Sequence, residues 1–217
     1  MRAIVVGARR TAEELGRAFP GTTVRTSGAE HVLADVAARP DLVVSTPGAE
    51  PVAEGGYGAA LLLDGWALLS RADLRAAEEA LRRWMTAAAL VRAGGTVVVG
   101  ADAAVPAVQA LVRWDPAGFA ARELADRAEL GFPPAVRMAA LSGSATAVTD
   151  LLAAAALPRT AQVIGPVPDR DGERMLIRVP RSAGGALAAA LKAAAAARSA
   201  RKAAEPVRVV LDPMAPL

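Results

Sequence analysis

Apolar positions recur along this chain with two periods, and the switch between them sketches the elements. Ala3–Val6 is a β-branched run closed by Gly7. "TAEELGRAF" follows, with Thr11 placed as N-cap, Glu14 three residues on, and Leu15 and Phe19 at helical spacing. The reading is strand, turn, helix. Thr22–Arg25 then predicts a strand, Ala29–Ala38 a helix, Asp41–Ser45 a strand and Ala59–Leu63 a fully apolar strand. Asp73–Val91 predicts one long helix with Asp73 as N-cap and Leu74, Ala77, Leu81, Trp84 and Met85 on one face. Gly94 stops it and Thr96–Val99 supplies another strand. Trp66 and Trp84 read as packing residues. Strands alternating with helices of this length predict a doubly wound parallel sheet.

The second half changes character at "RAELGFPPAVRMAAL" (127–141), where a charged helical run meets Phe-Pro-Pro and resumes as an apolar strand. Helices are expected at Val105–Arg113 and Pro116–Leu130. Gly131 stops the second, and the two prolines forbid its resumption. Beyond them come a strand at Ala135–Leu141, a helix at Ala145–Ala156, strands at Gln162–Ile164 and Arg174–Val179, a helix from Ala183 to Arg201 and a strand at Val207–Leu211. This βαββαβ order predicts a two-layer sandwich with an open sheet.

Composition narrows the chemistry. The 217 residues are 53% hydrophobic and 22% charged, a globular balance with room for one large core or two smaller ones. No apolar run reaches the roughly 18 residues of a membrane span, and "MRAIVVGARR" meets Arg9 and Arg10 before any adequate signal core, so the expectation is a cytoplasmic protein without membrane contact. There are no cysteines and one histidine, His31, which argues against disulfides and structural metal. A net charge of +3 permits nucleic-acid or acidic-peptide partners but is a weak field at this length. Of the 25 basic residues only Lys192 and Lys202 are lysines, a bias that suits phosphate recognition but also follows from a GC-rich genome. A dinucleotide site at the Gly7 turn would need a GxGxxG spacing, and Gly7 stands alone; Arg25 would be its nearest contact for a 2′-phosphate. An NADP- or nucleotide-dependent α/β enzyme built on that turn is the rival reading. A GxxxxGK[ST] phosphate loop is absent from the sequence.

Four stretches in order, "LLLDGWALLSRADLRAAEEALRRWMTAAALVRAGGTVVV" (61–99), "ELADRAELGFPPAVRMAAL" (123–141), "VIGPVPDRDGERMLIRVP" (163–180) and "VRVVLDPM" (207–214), together resemble the C-terminal half of the PriA family of bacterial replication-restart proteins. The resemblance implies a RecA-like second helicase lobe over residues 1–130 and a small αβ domain that binds DNA and partners over 131–217. It also shows departures. Where active members carry a lysine before a glycine, "STPGAEPVAEG" has Glu50 and Glu54, and carboxylates repel phosphate. Where a Gly-Arg-Ala-Gly-Arg run would send arginines to the γ-phosphate, the chain reads "TAAALVRAGG", with Leu90 and Val91 in place of the first glycine and arginine. Such an arginine is worth orders of magnitude in rate. The expected protein is therefore a degenerate lobe with no cofactor and no ATPase or helicase activity of its own, with Thr46 and Arg92 as remnants of a nucleotide site. Arg92 equally suits a cation capping the carboxyl end of the long helix.

Two basic clusters are candidates for DNA or partner contact. Arg170, Arg174, Arg178 and Arg181 run through "PDRDGERMLIRVPR", with Arg174 and Arg178 on one strand face and Ile177 and Val179 on the other; Asp169, Asp171 and Glu173 also make this a self-neutralised loop. Lys192, Arg198, Arg201 and Lys202 lie toward the carboxyl end of the alanine helix, where cations suit the dipole and solubility alike. The resemblance implies forked or single-stranded DNA, the acidic tail of single-strand-binding protein and other primosome proteins as partners, with Arg181 as the counterpart of the family's basic contact. Arg137 reads as a surface or inter-domain contact.

Overall fold

The computed structural model describes residues 7–29, 31–39, 41–63, 65–169, 172–203 and 205–214. The strand expected at Ala3–Val6 lies outside the described residues. Two compact units divide the chain, one comprising residues up to Arg71 with Arg75–Phe119, the other Ala72–Leu74 with Ala120 onward.

In the first unit, helix α1 (Ala8–Ala18) is capped by Gly7, whose carbonyl accepts from the amides of Arg10 and Thr11. Thr11 is thus inside the helix rather than its cap. Strand β1 (Val24–Ser27) pairs in parallel with β3 (Leu42–Ser45), and β2 (Asp35–Val36) with β4 (Val52–Ala53). Among the described residues of Ala29–Ala38 no helix forms. Buried Ser27 holds that segment, its hydroxyl accepting from the Leu33 amide at 3.0 Å and donating to the Ala49 carbonyl at 2.6 Å. The Ala34 and Val36 carbonyls accept from Val52 and Glu54, so the backbone groups a helix would use are committed across the fold.

Strand β5 (Tyr57–Leu62) pairs in parallel with β6 (Val91–Val99), and between them lie helices α2 (Gly65–Leu69) and α3 (Ala76–Ala88). The expected long helix is therefore shorter at both ends. Arg75, not Asp73, stands at its N-cap, and at the other end the Leu90 carbonyl accepts from the Tyr57 amide and opens the ladder to β5. Strand pairing takes Val91 and Arg92 out of the helix. Leu81, Trp84 and Ala80 of α3 pack with Leu62, with Val108 and Leu111 of α4 (Pro106–Arg113), and with Phe119 at the start of α5 (Pro116–Leu130). Trp84 is a packing residue as expected, whereas Trp66 is 42% exposed. Among the described residues the parallel strands form three separate pairs rather than one doubly wound sheet.

The second unit follows the expected βαββαβ order. Strands β7 (Val136–Gly143), β8 (Gln162–Asp169), β9 (Gly172–Pro180) and β10 (Arg208–Leu211) form an antiparallel sheet ordered β10-β7-β9-β8, with β8 at one edge. Ala139, Leu141, Ile177 and Val179 face helices α6 (Ala145–Ala154) and α7 (Gly184–Ala200), meeting Val148, Leu151, Leu187 and Leu191. Met138, Ala140 and Leu176 face the other way, against Phe132 and Val136. Period two thus assigns each residue of β7 and β9 to one of two layers. Ser144 caps α6 through the Ala147 amide at 3.3 Å. Asp212 fastens the end of β10 to β7, accepting from the Met138 amide at 3.1 Å and from Arg137. Arg137 is thereby an intra-unit ion pair.

Helix α5 ends in a Schellman closure, the Phe132 amide donating to the Arg127 carbonyl at 2.8 Å with Gly131 at φ 69°. Arg127 itself is buried and donates to the carbonyls of Pro133 and Leu74 and to the Glu123 carboxylate. The Leu74 amide bonds the Met214 carbonyl at 3.0 Å. These bonds stitch Ala72–Leu74 into the second unit.

Leu141→Ala, at a fully buried site between sheet and helices, is expected to cost about 2–5 kcal/mol in urea denaturation. On α3, hydrogen bonds from Arg82 and Arg83 hold the Glu79 carboxyl down to about 2. Because the folded value lies below the unfolded one, this stabilisation is complete above about pH 4.5 and fades as pH falls toward 2. Thermal melts of the native chain and Glu79→Gln should converge over that range and differ by less than about 1 kcal/mol at neutral pH, as exposed pairs do.

Candidate functional site

Where β9 ends, Pro180 turns the chain into a 3₁₀ turn (Arg181–Ala183) that leads directly into α7. This corner, the start of β8 and the end of α5 enclose a shallow cleft of about 650 Å³, lined by Arg178, Arg181, Gln162, Thr160, Ser182 and Glu129 among others. Two of the arginines expected to bind DNA or a partner therefore converge.

They are held differently. Arg178 sits opposite Gln162 in the β8–β9 register and gives it two hydrogen bonds, Nε at 3.0 Å and Nη2 at 2.6 Å to Oε1. Its Nη1 donates to the carbonyls of Leu130 and Gly131 at 3.2 and 3.4 Å. The positive φ of Gly131 favours glycine there, and a Cβ would lie 2.2 Å from Nη1, so a larger residue would also displace this guanidinium. Arg178 is consequently a positioned, half-buried cation with most of its donors committed. Arg181 is exposed and commits Nη1 to the Pro134 carbonyl, leaving its other N–H groups directed to no protein partner among the described residues. A carboxylate or phosphate in the cleft would meet a fixed charge and an available fork, with Glu129 setting a limit on the positive potential.

The remaining cations do not join them. Arg174 shares the strand face of Arg178 but pairs with Asp169 at 3.1 Å and bonds Ser142, the neutralised loop that its acidic neighbours suggest. Arg170 lies outside the described residues. Arg198 requires a correction: it is 8% exposed, donating to Asp150 at 3.3 Å and to the Glu205 carbonyl at 3.0 Å. It ties α7 to α6 and to the approach to β10, so it is a buried structural cation and not a surface contact. Lys192, Arg201 and Lys202 are exposed. Arg201 bonds the Ala197 carbonyl of its own helix, and Lys202 at φ 52° closes α7.

In the first unit the expected nucleotide remnants lie on different sheets. Thr46 follows β3, its amide bonded to the Ser27 carbonyl at 3.0 Å and its side chain against Gly28. In the next turn the Gly48 amide donates to both oxygens of Glu50, at 2.9 and 3.0 Å, so a carboxylate of the chain already occupies that donor. Arg83 donates to the Pro47 carbonyl of the same turn at 3.1 Å. Arg92 is an exposed strand residue of β6 beside Gly56 and Gly58 and does not cap α3. At the rival site, a Cβ on Gly7 would meet nothing within 4 Å among the described residues, and Arg25 is engaged by Asp41 at 2.6 Å. Among the described residues no three potential metal ligands cluster, and no helix is long and apolar enough to cross a membrane.

Gln162, Thr160 and Ser182 were not legible as site residues. Gln162 alone had a signal, as a polar residue opening an apolar strand.

Residues 128–214 match the family model described as the primosomal protein N C-terminal domain. Over 99% of its length the chain is 56% identical to the "Probable replication restart protein PriA" of Mycobacterium leprae and 55% identical to the protein of the same name from Mycobacterium tuberculosis and Mycobacterium bovis. It spans about a third of the length of these relatives, 35–36%. The chain is therefore similar, over nearly all of its own length, to about a third of the length of proteins named replication restart protein PriA, and residues 128–214 match the primosomal protein N C-terminal domain.

Proposed function

We propose that this chain serves replication restart as a non-catalytic module: a degenerate RecA-like second helicase lobe over residues 1–130, and an αβ domain over 131–217 that binds forked or single-stranded DNA and replication partners. The observation that carries the restart role is the identity of about 55% across 99% of the chain with proteins named for it. The cleft at Arg178 and Arg181 supports the binding role, because it offers an available guanidinium fork to phosphate or to the carboxylates of an acidic tail such as that of single-strand-binding protein. Thr46 and Arg92 are read as relics, and Glu50 on the Gly48 amide speaks against a phosphate there. The setting is the cytoplasm, at the nucleoid. The NADP-enzyme reading is less well supported, since Arg25 is engaged by Asp41.

Fluorescence anisotropy with labelled fork DNA and an acidic peptide tests the module. Arg181→Ala is expected to weaken DNA binding about tenfold and reduce the salt slope by about one. Arg174→Ala should have little effect because its charge is spent on Asp169. A DNA-stimulated ATPase in this chain, or equal binding by Arg181→Ala, would sink the respective half of the proposal.

A further inference from the structure

Three helices of this chain end by the same backbone device, and one of them uses an unexpected residue. In α5 the left-handed position is Gly131 and in α7 it is Lys202; in α4 it is Trp114, at φ 54° and ψ 41°. The closure at α4 is complete, with the Asp115 amide on the Ala110 carbonyl at 2.9 Å and the Trp114 amide on the Leu111 carbonyl at 3.1 Å. This geometry asks for glycine, and a bulky L-residue there is an outlier that costs stability. Burial does not compensate: Trp114 is 54% exposed and belongs to none of the hydrophobic clusters.

Its immediate neighbours in the chain, Arg113 and Asp115, are both charged. Arg113 is exposed and, among the described residues, has no hydrogen-bond or ion-pair partner. Asp115 is turned to the start of α5, accepting from the Gly118 amide at 2.8 Å, where the helix dipole offsets its charge. Along the chain the ring is flanked by exposed Val112, Arg113, Asp115, Pro116 and Ala117, a short stretch with one large aliphatic residue rather than the contiguous apolar core of a protein interface of ordinary size. An exposed ring beside an uncommitted guanidinium suits an unpaired base and its phosphate.

We infer that Trp114 is a stacking platform for a base of single-stranded DNA, with Arg113 on the adjoining phosphate; the inference rests on the nucleic-acid-binding reading above. The test uses the full chain carrying Trp66→Phe, which leaves Trp114 as the exposed emitter beside buried Trp84. Titration with a thymidine oligonucleotide should quench its fluorescence. Trp114→Gly should weaken single-strand binding about fivefold or more, while Tm stays level or rises by about 2–4 °C as the strained position is relieved. Trp114→Phe should keep most of the affinity. Unquenched emission on binding, unchanged affinity in Trp114→Gly, or a fall in its Tm of several degrees would overturn the inference and leave the module intact. Failure of the parent chain to bind any DNA would overturn both.

Discussion

The pairing of β7 with β9 is the constraint on which the second unit depends. Eight residues of β7 face eight of β9 in one register, and because side chains alternate, that register alone decides which layer each residue enters. A slip of β9 by one residue would turn Ile177 and Val179 away from α6 and α7 and bring Arg174 and Arg178 against them. The cost of burying two cations without partners far exceeds that of any lost contact. Placement of the arginines is thus a consequence of core packing, and the cleft follows from it.

Within that frame the arginines divide by what the backbone asks of them. Arg127 and Arg198 are buried; two carbonyls and a carboxylate satisfy the first, and one of each the second. Arg178 is intermediate, and Arg181 is mostly free. A guanidinium has five donors in a rigid fork, so one residue type serves as internal strut and as ligand-facing charge, depending on how many carbonyls surround it. Composition cannot make this distinction.

Much of the second unit was legible because β7 and β9 carry short apolar runs, Met138–Leu141 and Met175–Ile177, bounded by polar and turn residues. Gly131 with two prolines also marked the end of α5 unambiguously. The alanine helix α7 was legible as a helix but not as a surface, since alanine marks neither face, and Arg198 was accordingly placed in solvent. In the first unit the misreadings share a different cause. Ala29–Ala38 has helical composition, yet the buried hydroxyl of Ser27 and the pairing of β2 with β4 take its backbone groups. Leu90 likewise has helical neighbours but bonds Tyr57, more than thirty residues earlier. Long-range backbone bonds leave no local signature. The candidate site suffered similarly: its arginines were visible in the sequence, but Gln162 and Thr160 join them only through sheet register.

Strand β8 lies at the open edge of the four-stranded sheet, where exposed Val163 and Ile164 would invite another strand. Pro166 and Pro168 deprive the rest of that edge of two amide donors. A foreign strand could continue only three residues, Gln162–Ile164, before meeting the prolines. The sheet is therefore poorly suited to templating edge-to-edge aggregation, even though its rim is apolar.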